Sequence, residues 1–237
     1  MAEVGRNSAP TARALLNQLY SQDPEAARVA FPAVLQGMAD SRAFEDARLL
    51  VDDSANVPAD TRELSIEMLA DQWGRSRPED AAAWILSIQD EGSRNKALIA
   101  LGTAWSAGDP ESAAMFALQI PPGQTREAML GQAVNRWASI DAQGAAEWLL
   151  QFPSLPDFDE AVARLATQPT TLADHADLAL DWAGNIFDPV LRLKTVNTVL
   201  SNEYDRDPPT ALTRLQEVKL LSEADRQVLS VQLQSRH

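Results

Sequence analysis

Among its 237 residues the chain has no cysteine, which excludes disulfides, thiolate metal sites and a cysteine nucleophile. The compartment stays open, since oxidised and reduced spaces both hold cysteine-free proteins. Histidine is nearly absent, with His175 and the terminal His237 the two present. His175 lies between Asp174 and Asp177, but adjacent residues on a helix point apart, and Asp174, Asp177 and Asp181 follow helical spacing as an exposed stripe. No metal site is therefore expected. No apolar run approaches the ~18 residues of a membrane span, so no membrane insertion is expected of this chain. The start, MAEVGRNSAPTARALL, has no apolar core of signal-peptide type. An exported or periplasmic portion with its leader or anchor removed is preferred here over a cytoplasmic protein.

Lysine is scarce, at three beside 17 arginines, and Asp plus Glu number 34 against 20 Lys plus Arg, for a net charge of −14. The excess is spread over every quarter of the chain. Such a field repels nucleic acid and anionic membranes and steers basic partners inward. Catalytic fingerprints are missing: there is no G-x-S-x-G, H-E-x-x-H, P-loop or dinucleotide motif. PPGQTR (121–126) reads as a hairpin turn, and the acid pairs Asp52-Asp53, Asp90-Glu91 and Asp157-Asp159 fall at expected helix ends, where acids cap or solvate. No enzyme activity and no cofactor are expected. Strand signals are nearly absent too, because no stretch alternates apolar and polar residues with β-branched enrichment.

What the chain has is a repeat. WSAGDPESAAMFAL (105–118) returns as WASIDAQGAAEWLL (137–150), 32 residues on. Trp73, Trp105 and Trp137 share this phase, as do Arg62, Arg94 and Arg126, and Trp84, Phe116 and Trp148. Self-similarity at this interval marks a repeat array. Each unit divides into two helices. The first opens at Asp109-Pro110-Glu111, a cap, a proline fit for the first helical position and an acid at the positive end, and stops at Pro121-Pro122-Gly123. The second places Ala128, Met129, Ala133 and Trp137 on one apolar face.

About fourteen helices follow, near 11–21, 24–38, 41–53, 59–74, 78–89, 93–107, 110–120, 124–139, 142–152, 157–167, 171–185, 189–204, 208–218 and 222–235. The fold class is all-α. About seven antiparallel hairpins stacked side by side would make an α-solenoid, a superhelix, over 1–237 as one domain. The phase fails once: Pro169 stands where tryptophan is due and Phe158 where arginine is due, so a kink or subdomain seam is expected near 167–172.

The spacing of Ala97, Leu101, Ala104 and Pro110 resembles the second helix of a tetratricopeptide repeat and the proline after it, whose unit is about 34 residues. The W-x2-L-G-x2-Y signature of that family's first helix is absent, Trp105 closes the second helix, and the proline comes one position late. WSAGDPESA (105–113) is similar instead to a broad class of TPR-like bacterial helical repeats carrying W-x3-D-P-x-x-A. The resemblance implies a protein-interaction scaffold, often within a larger exported or envelope protein. It implies no particular partner and no catalytic residue.

Identical phase implies identical surroundings, so Trp73, Trp105 and Trp137 are expected as packing between hairpins. Trp182 is out of phase and beside the seam, which makes it a candidate ligand contact. Arg62, Arg94 and Arg126 fall in the first turn of a helix, where the macrodipole disfavours a cation. They are expected to form a structural ladder, each guanidinium stacked on a ring or paired with an acidic loop of the next unit, Asp109 or Asp141. The alternative is a row binding carboxylates or phosphates along one edge. Positions that differ between units are free for specificity: Ala83, Met115 and Glu147; Ser87, Gln119 and Gln151; and Arg75, Ala107 and Ser139 at the inter-repeat turn. With first helices lining the concave surface, these would face a bound segment. The expected function is a non-enzymatic scaffold binding a protein or peptide of basic character through that face. The alternatives are a spacer or self-assembly module and an enzyme using acids in a groove near the seam.

Overall fold

A computed structural model describes residues 9–54, 56–149, 151–152, 156–218 and 221–235. The chain is all-helical, with fifteen α-helices and no strand among the described residues. None of these helices is long and apolar enough to cross a membrane. The chain divides into two compact units, Met1–Asp109 and Pro110–His237. The first holds α1 (Ala9–Gln22), α2 (Pro24–Asp40), α3 (Phe44–Asp52), α4 (Ala59–Gly74), α5 (Pro78–Ser87) and α6 (Glu91–Gly108). The second holds α7 (Pro110–Ala117), α8 (Gln124–Ala138), α9 (Ala142–Leu149), a 3-10 turn at Pro156–Phe158, α10 (Asp159–Ala166), α11 (Pro169–Asp174), α12 (Ala176–Gly184), α13 (Pro189–Tyr204), α14 (Pro208–Glu217) and α15 (Glu223–Gln234). The expected seam at 167–172 falls inside this second unit, where Thr167 and Gln168 join α10 to α11.

Most starts carry the signals that the sequence displays. Pro24, Pro78, Pro169, Pro189 and Pro208 stand in the first turn of their helices, where the missing N–H costs nothing. Asp23, Asp90, Asp188 and Asp207 accept from backbone amides of the turns they open, and Ser222 with Asp225 forms a reciprocal capping box. At the start of α8 the chain needs Gly123, whose φ of 146° is hard for any side chain. The helix expected over 171–185 is two pieces. His175, at φ −141° and ψ 47°, leaves the helical region, and α11 and α12 both pack on α13.

In the first unit α4 lies along both α2 and α6, while α3 sits against α1, α2 and α4, and α5 against α4 and α6. The helices meet through large apolar side chains with almost no exposure, among them Phe31, Leu35, Leu69, Trp73, Ile85 and Leu101. Burial of each such side chain stabilises the fold by about 1.5–3 kcal/mol. Close approach is permitted where tryptophan is followed by a small residue. A Cβ on Gly74 would stand 2.9 Å from Leu101 Cδ1 and 3.2 Å from Ala104 Cβ. In the second unit the core gathers Leu165, Leu180, Trp182, Val196, Val199 and Leu229 from α10, α12, α13 and α15.

Two kinds of polar contact join the helices. One joins neighbouring hairpins at separations of 32 to 34 residues: Arg28 pairs with Asp60, Lys96 with Glu63, Trp84 Nε1 donates to Asp52 Oδ1 (3.4 Å), and Arg206 donates to the carbonyl of Ala173 (3.1 Å). The exposed ion pairs among them contribute about 0–1 kcal/mol each.

The other closes a hairpin upon itself. Arg94 Nη1 donates to the carbonyls of Ile88 (2.7 Å) and Gln89 (3.3 Å), and Arg192 Nη1 to those of Ile186 (2.8 Å) and Phe187 (3.4 Å). Arg126 reaches Ile120 O at 3.5 Å, and Arg226 reaches both Leu221 O (3.0 Å) and Val218 O (2.8 Å). These carbonyls end the preceding helix or its turn, and a part-buried carbonyl without a donor is costly. An arginine near a helix start is thus held by the turn before it, which outweighs the macrodipole. Replacing Arg94→Met keeps the stem and deletes the donors. Urea unfolding of that variant is expected to show a loss of about 1–3 kcal/mol, and an unchanged midpoint would mean that the turn does not need its guanidinium.

Candidate functional site

An open groove lies where two helices of the first unit end. The C-termini of α4 and α6 and the start of α5 bound a groove of about 440 Å³, within the range that accommodates ligands. Gly74, Arg75 and Glu79 form one wall, and Trp105, Ala107 and Asp109 the other. Two helix C-termini bring partial negative charge, and Glu79 and Asp109 add carboxylates. The positive end of α5 is met by its own Glu79 and Asp80. Arg75 folds back onto Asp71, one turn earlier, through Nε (3.2 Å) and Nη2 (2.8 Å). Its charge is therefore largely answered within α4, and the groove favours a cation.

A second crevice, lined by Arg13, Tyr20, Asp53 and their neighbours, has room for about 10 Å³, no more than one water. Burial raises the pKa of the Tyr20 phenol there, against the pull of Arg28.

The variable positions are surface positions. Ala83 and Ser87 are exposed on α5, and Met115, Gln119, Glu147 and Gln151 are exposed on α7, on α9 and in the turns that follow them. Ser87 Oγ spends its proton on Trp84 O (2.6 Å), and Gln151 Nε2 reaches Glu147 O at 3.4 Å. Ser139 is exposed just past the end of α8, whereas Arg75 and Ala107, its equivalents in the first unit, both line the groove. Trp182 is 5% exposed and lies in the core of the second unit, so it offers no face to a ligand. Trp73 is buried against Phe44 (centroids 5.5 Å apart, planes 4° apart) and Trp84 (5.8 Å), and Trp137 meets Trp148 at 5.7 Å. Trp105 is 7% exposed in the groove wall.

The arginines find partners other than rings. Arg94 and Arg126 bond turn carbonyls, and Arg126 also pairs with Asp157, an acid of the next turn, with both side chains nearly buried. Arg62 is near enough to Asp90 to help lower that carboxyl's pKa, behind the larger effect of the Ser93 amide and hydroxyl. A guanidinium that does lie over rings is that of Arg77, whose Cζ lies 5.6 Å from the Phe44 centroid and 5.8 Å from that of Trp73. Nothing in the 32-residue phase had pointed to it.

At 157–159, an acid pair expected to cap or solvate a helix end, both carboxylates bind other parts of the fold. Asp159 is buried and accepts the amides of Phe187 (2.7 Å) and Asp188 (2.6 Å), one on each oxygen. Among the described residues no three His, Cys, Asp or Glu gather to hold a metal. His237 and the side chain of Asp174 lie outside those described.

One carboxyl in the second unit is under tension. Glu203, on α13, is 10% exposed, and its Oε1 meets Arg214 Nη1 at 3.1 Å as an ion contact without hydrogen-bond alignment. Its Oε2 is buried with no partner. Burial pushes its pKa up, Arg214 opposes, and Asp207 and Asp177 push further up. Neither the groove nor the crevice opens onto it.

No family model matches the chain, and neither the curated proteins nor the solved structures contain a match to it.

An acid whose pKa is raised by folding stabilises the fold while protonated and loses that contribution as pH rises through the raised value. Glu203→Gln, a neutral isostere, is therefore expected to equal or exceed the parent in stability at neutral pH. Its advantage should shrink as pH falls toward the unfolded glutamate value of about 4.3. Parallel chemical unfolding of both proteins between these limits would show it, and an advantage that grows on acidification would reverse the assignment.

Proposed function

We propose that the chain is a non-enzymatic binding scaffold, a TPR-like α-solenoid of helical hairpins that holds a basic segment of another protein or peptide. The observation that carries this reading is the groove at the ends of α4 and α6, with two helix C-termini, Glu79 and Asp109 around one cavity of about 440 Å³. Its charge agrees with that of the whole chain, −14, which draws basic partners from a distance. The acids that are buried serve the fold: Asp157 holds Arg126 and Asp159 holds two amides. Long helices running beside one another, α2 on α4 and α4 on α6, with shorter ones set against them, fit a stack of hairpins within the first unit. The face formed by the long helices then becomes a second binding surface to weigh beside the short-helix positions Ala83 and Ser87.

The protein passed over an array of basic, neutral and acidic peptides of equal length is expected to retain the basic ones. The retention should fall by about tenfold or more as salt rises toward 1 M, where the Debye length is about 3 Å. Equal retention of neutral and acidic peptides, or none at all, would remove the reading.

A further inference from the structure

Three carboxyls of the second unit are buried or nearly so, and the fold answers two of them. Asp157 pairs with Arg126, and Asp159 takes two amides. Glu203, in the last turn of α13, is answered poorly. Its Oε2 has no partner, and its Oε1 meets Arg214 of α14 without hydrogen-bond alignment. Asp207, the cap of α14, and Asp177 of α12 act on it as like charges, and Arg214 and Arg206 as opposite ones. The other helices packed on α13 turn their described charges elsewhere. On α10, Asp159 holds its amides while Glu160 and Arg164 are exposed. On α15, Asp225 joins the Ser222 cap, Arg226 bonds turn carbonyls and Glu223 is exposed.

An ionised oxygen buried without a donor is costly, and the cost is relieved by a proton or by water. Water reaches it where the cover is lightest. On one side α12 packs on α10, α11 and α13 and buries Leu180 and Trp182 among its apolar side chains. On the other, α14 packs on α13 and α15 and is anchored by Ala211 and Leu215. Moving α14 therefore forfeits less apolar burial than moving α12.

We propose that Glu203 makes the seat of α14 on α13 respond to pH: a proton taken up on its carboxyl settles α14, and ionisation loosens it. The closed form favours the proton, because burial, ahead of the opposing pull of Arg214, raises the pKa of this carboxyl. The contribution of the protonated form is complete below the unfolded glutamate value of about 4.3 and is lost as pH rises through the raised value. Asp207 works in the opposite direction. It accepts from the Thr210 hydroxyl (2.6 Å) and amide (3.3 Å), which lower its pKa. Its cap is intact above the unfolded aspartate value of about 3.9 and is lost as pH falls through the lowered one. The hold on α14 is thus firmest in mild acid and slackens on either side.

The test follows amide hydrogen exchange in the full chain from about pH 4.5 to about pH 7.5, corrected for the intrinsic effect of pH. The side-chain carboxyl 13C signal of Glu203 is titrated alongside. Protection of the α14 amides from Ala211 to Leu215 is expected to fall by about threefold or more as pH rises through the Glu203 midpoint. The amides of α10, in the same unit, should keep theirs. Glu203→Gln keeps the shape and stays neutral, so its α14 protection should be level across the range.

Level protection in the parent, or the same fall in Glu203→Gln, would overturn the proposal. So would a Glu203 midpoint at the ordinary glutamate value. An equal fall in α10 would overturn it as well, since the whole unit would then be responding and not the joint between α13 and α14.

Discussion

Four of the helices, α6, α8, α13 and α15, depend on a guanidinium reaching back to the turn before its own helix. The helix that ends there leaves carbonyls without intrahelical partners. Arg94, Arg126 and Arg192 each supply the missing donors from six residues downstream, and Arg226 does so from five and eight. Beyond the turn, α6 packs through an apolar face that includes Leu98 and Leu101. A cation near a helix start looks misplaced if the helix is considered alone. It is well placed once the preceding turn is included.

A second constraint acts between hairpins. The tryptophan near the end of a long helix is followed by a small residue, Gly74, Ser106 or Ala138, each buried. In the first unit that small residue lets α4 come within contact distance of Leu101 and Ala104. Polar cross-links at separations of 32 to 34 residues then tie one hairpin to the next. Individually they are weak. Their regular placement fixes register more than it adds stability.

The helices were largely legible because their punctuation is explicit. Proline in the first turn and aspartate before it located α2, α13 and α14, and periodicity located α4 to the residue at both ends. The break at His175 was not legible, since ADHADLALD carries no breaker and the turn arises where two short helices both reach α13. The arginine series was visible but its partners were not. An isoleucine six residues before each of Arg94, Arg126 and Arg192 would have pointed to a closure with the preceding turn, and would have found Arg192 outside the 32-residue phase. The groove was half visible: Arg75 and Ala107 were noted as equivalent positions of unlike chemistry. The ends of two helices separated in sequence had to be brought together before a cavity could be seen there. Trp182 was singled out for being out of phase, yet burial claims it as firmly as its in-phase counterparts.

Contacts that recur every 32 to 34 residues have a kinetic consequence. Within each unit a helix packs almost entirely on those one or two places away in the chain. Little chain entropy is spent on closing long loops before native contacts repay it. Helices near in sequence can come together without waiting for distant segments to meet. The arginine closures belong to the earliest step, because each spans only a handful of residues. Order would spread outward from such a closed turn, and the helices with a neighbour on one side only would be the last to settle and the first to loosen.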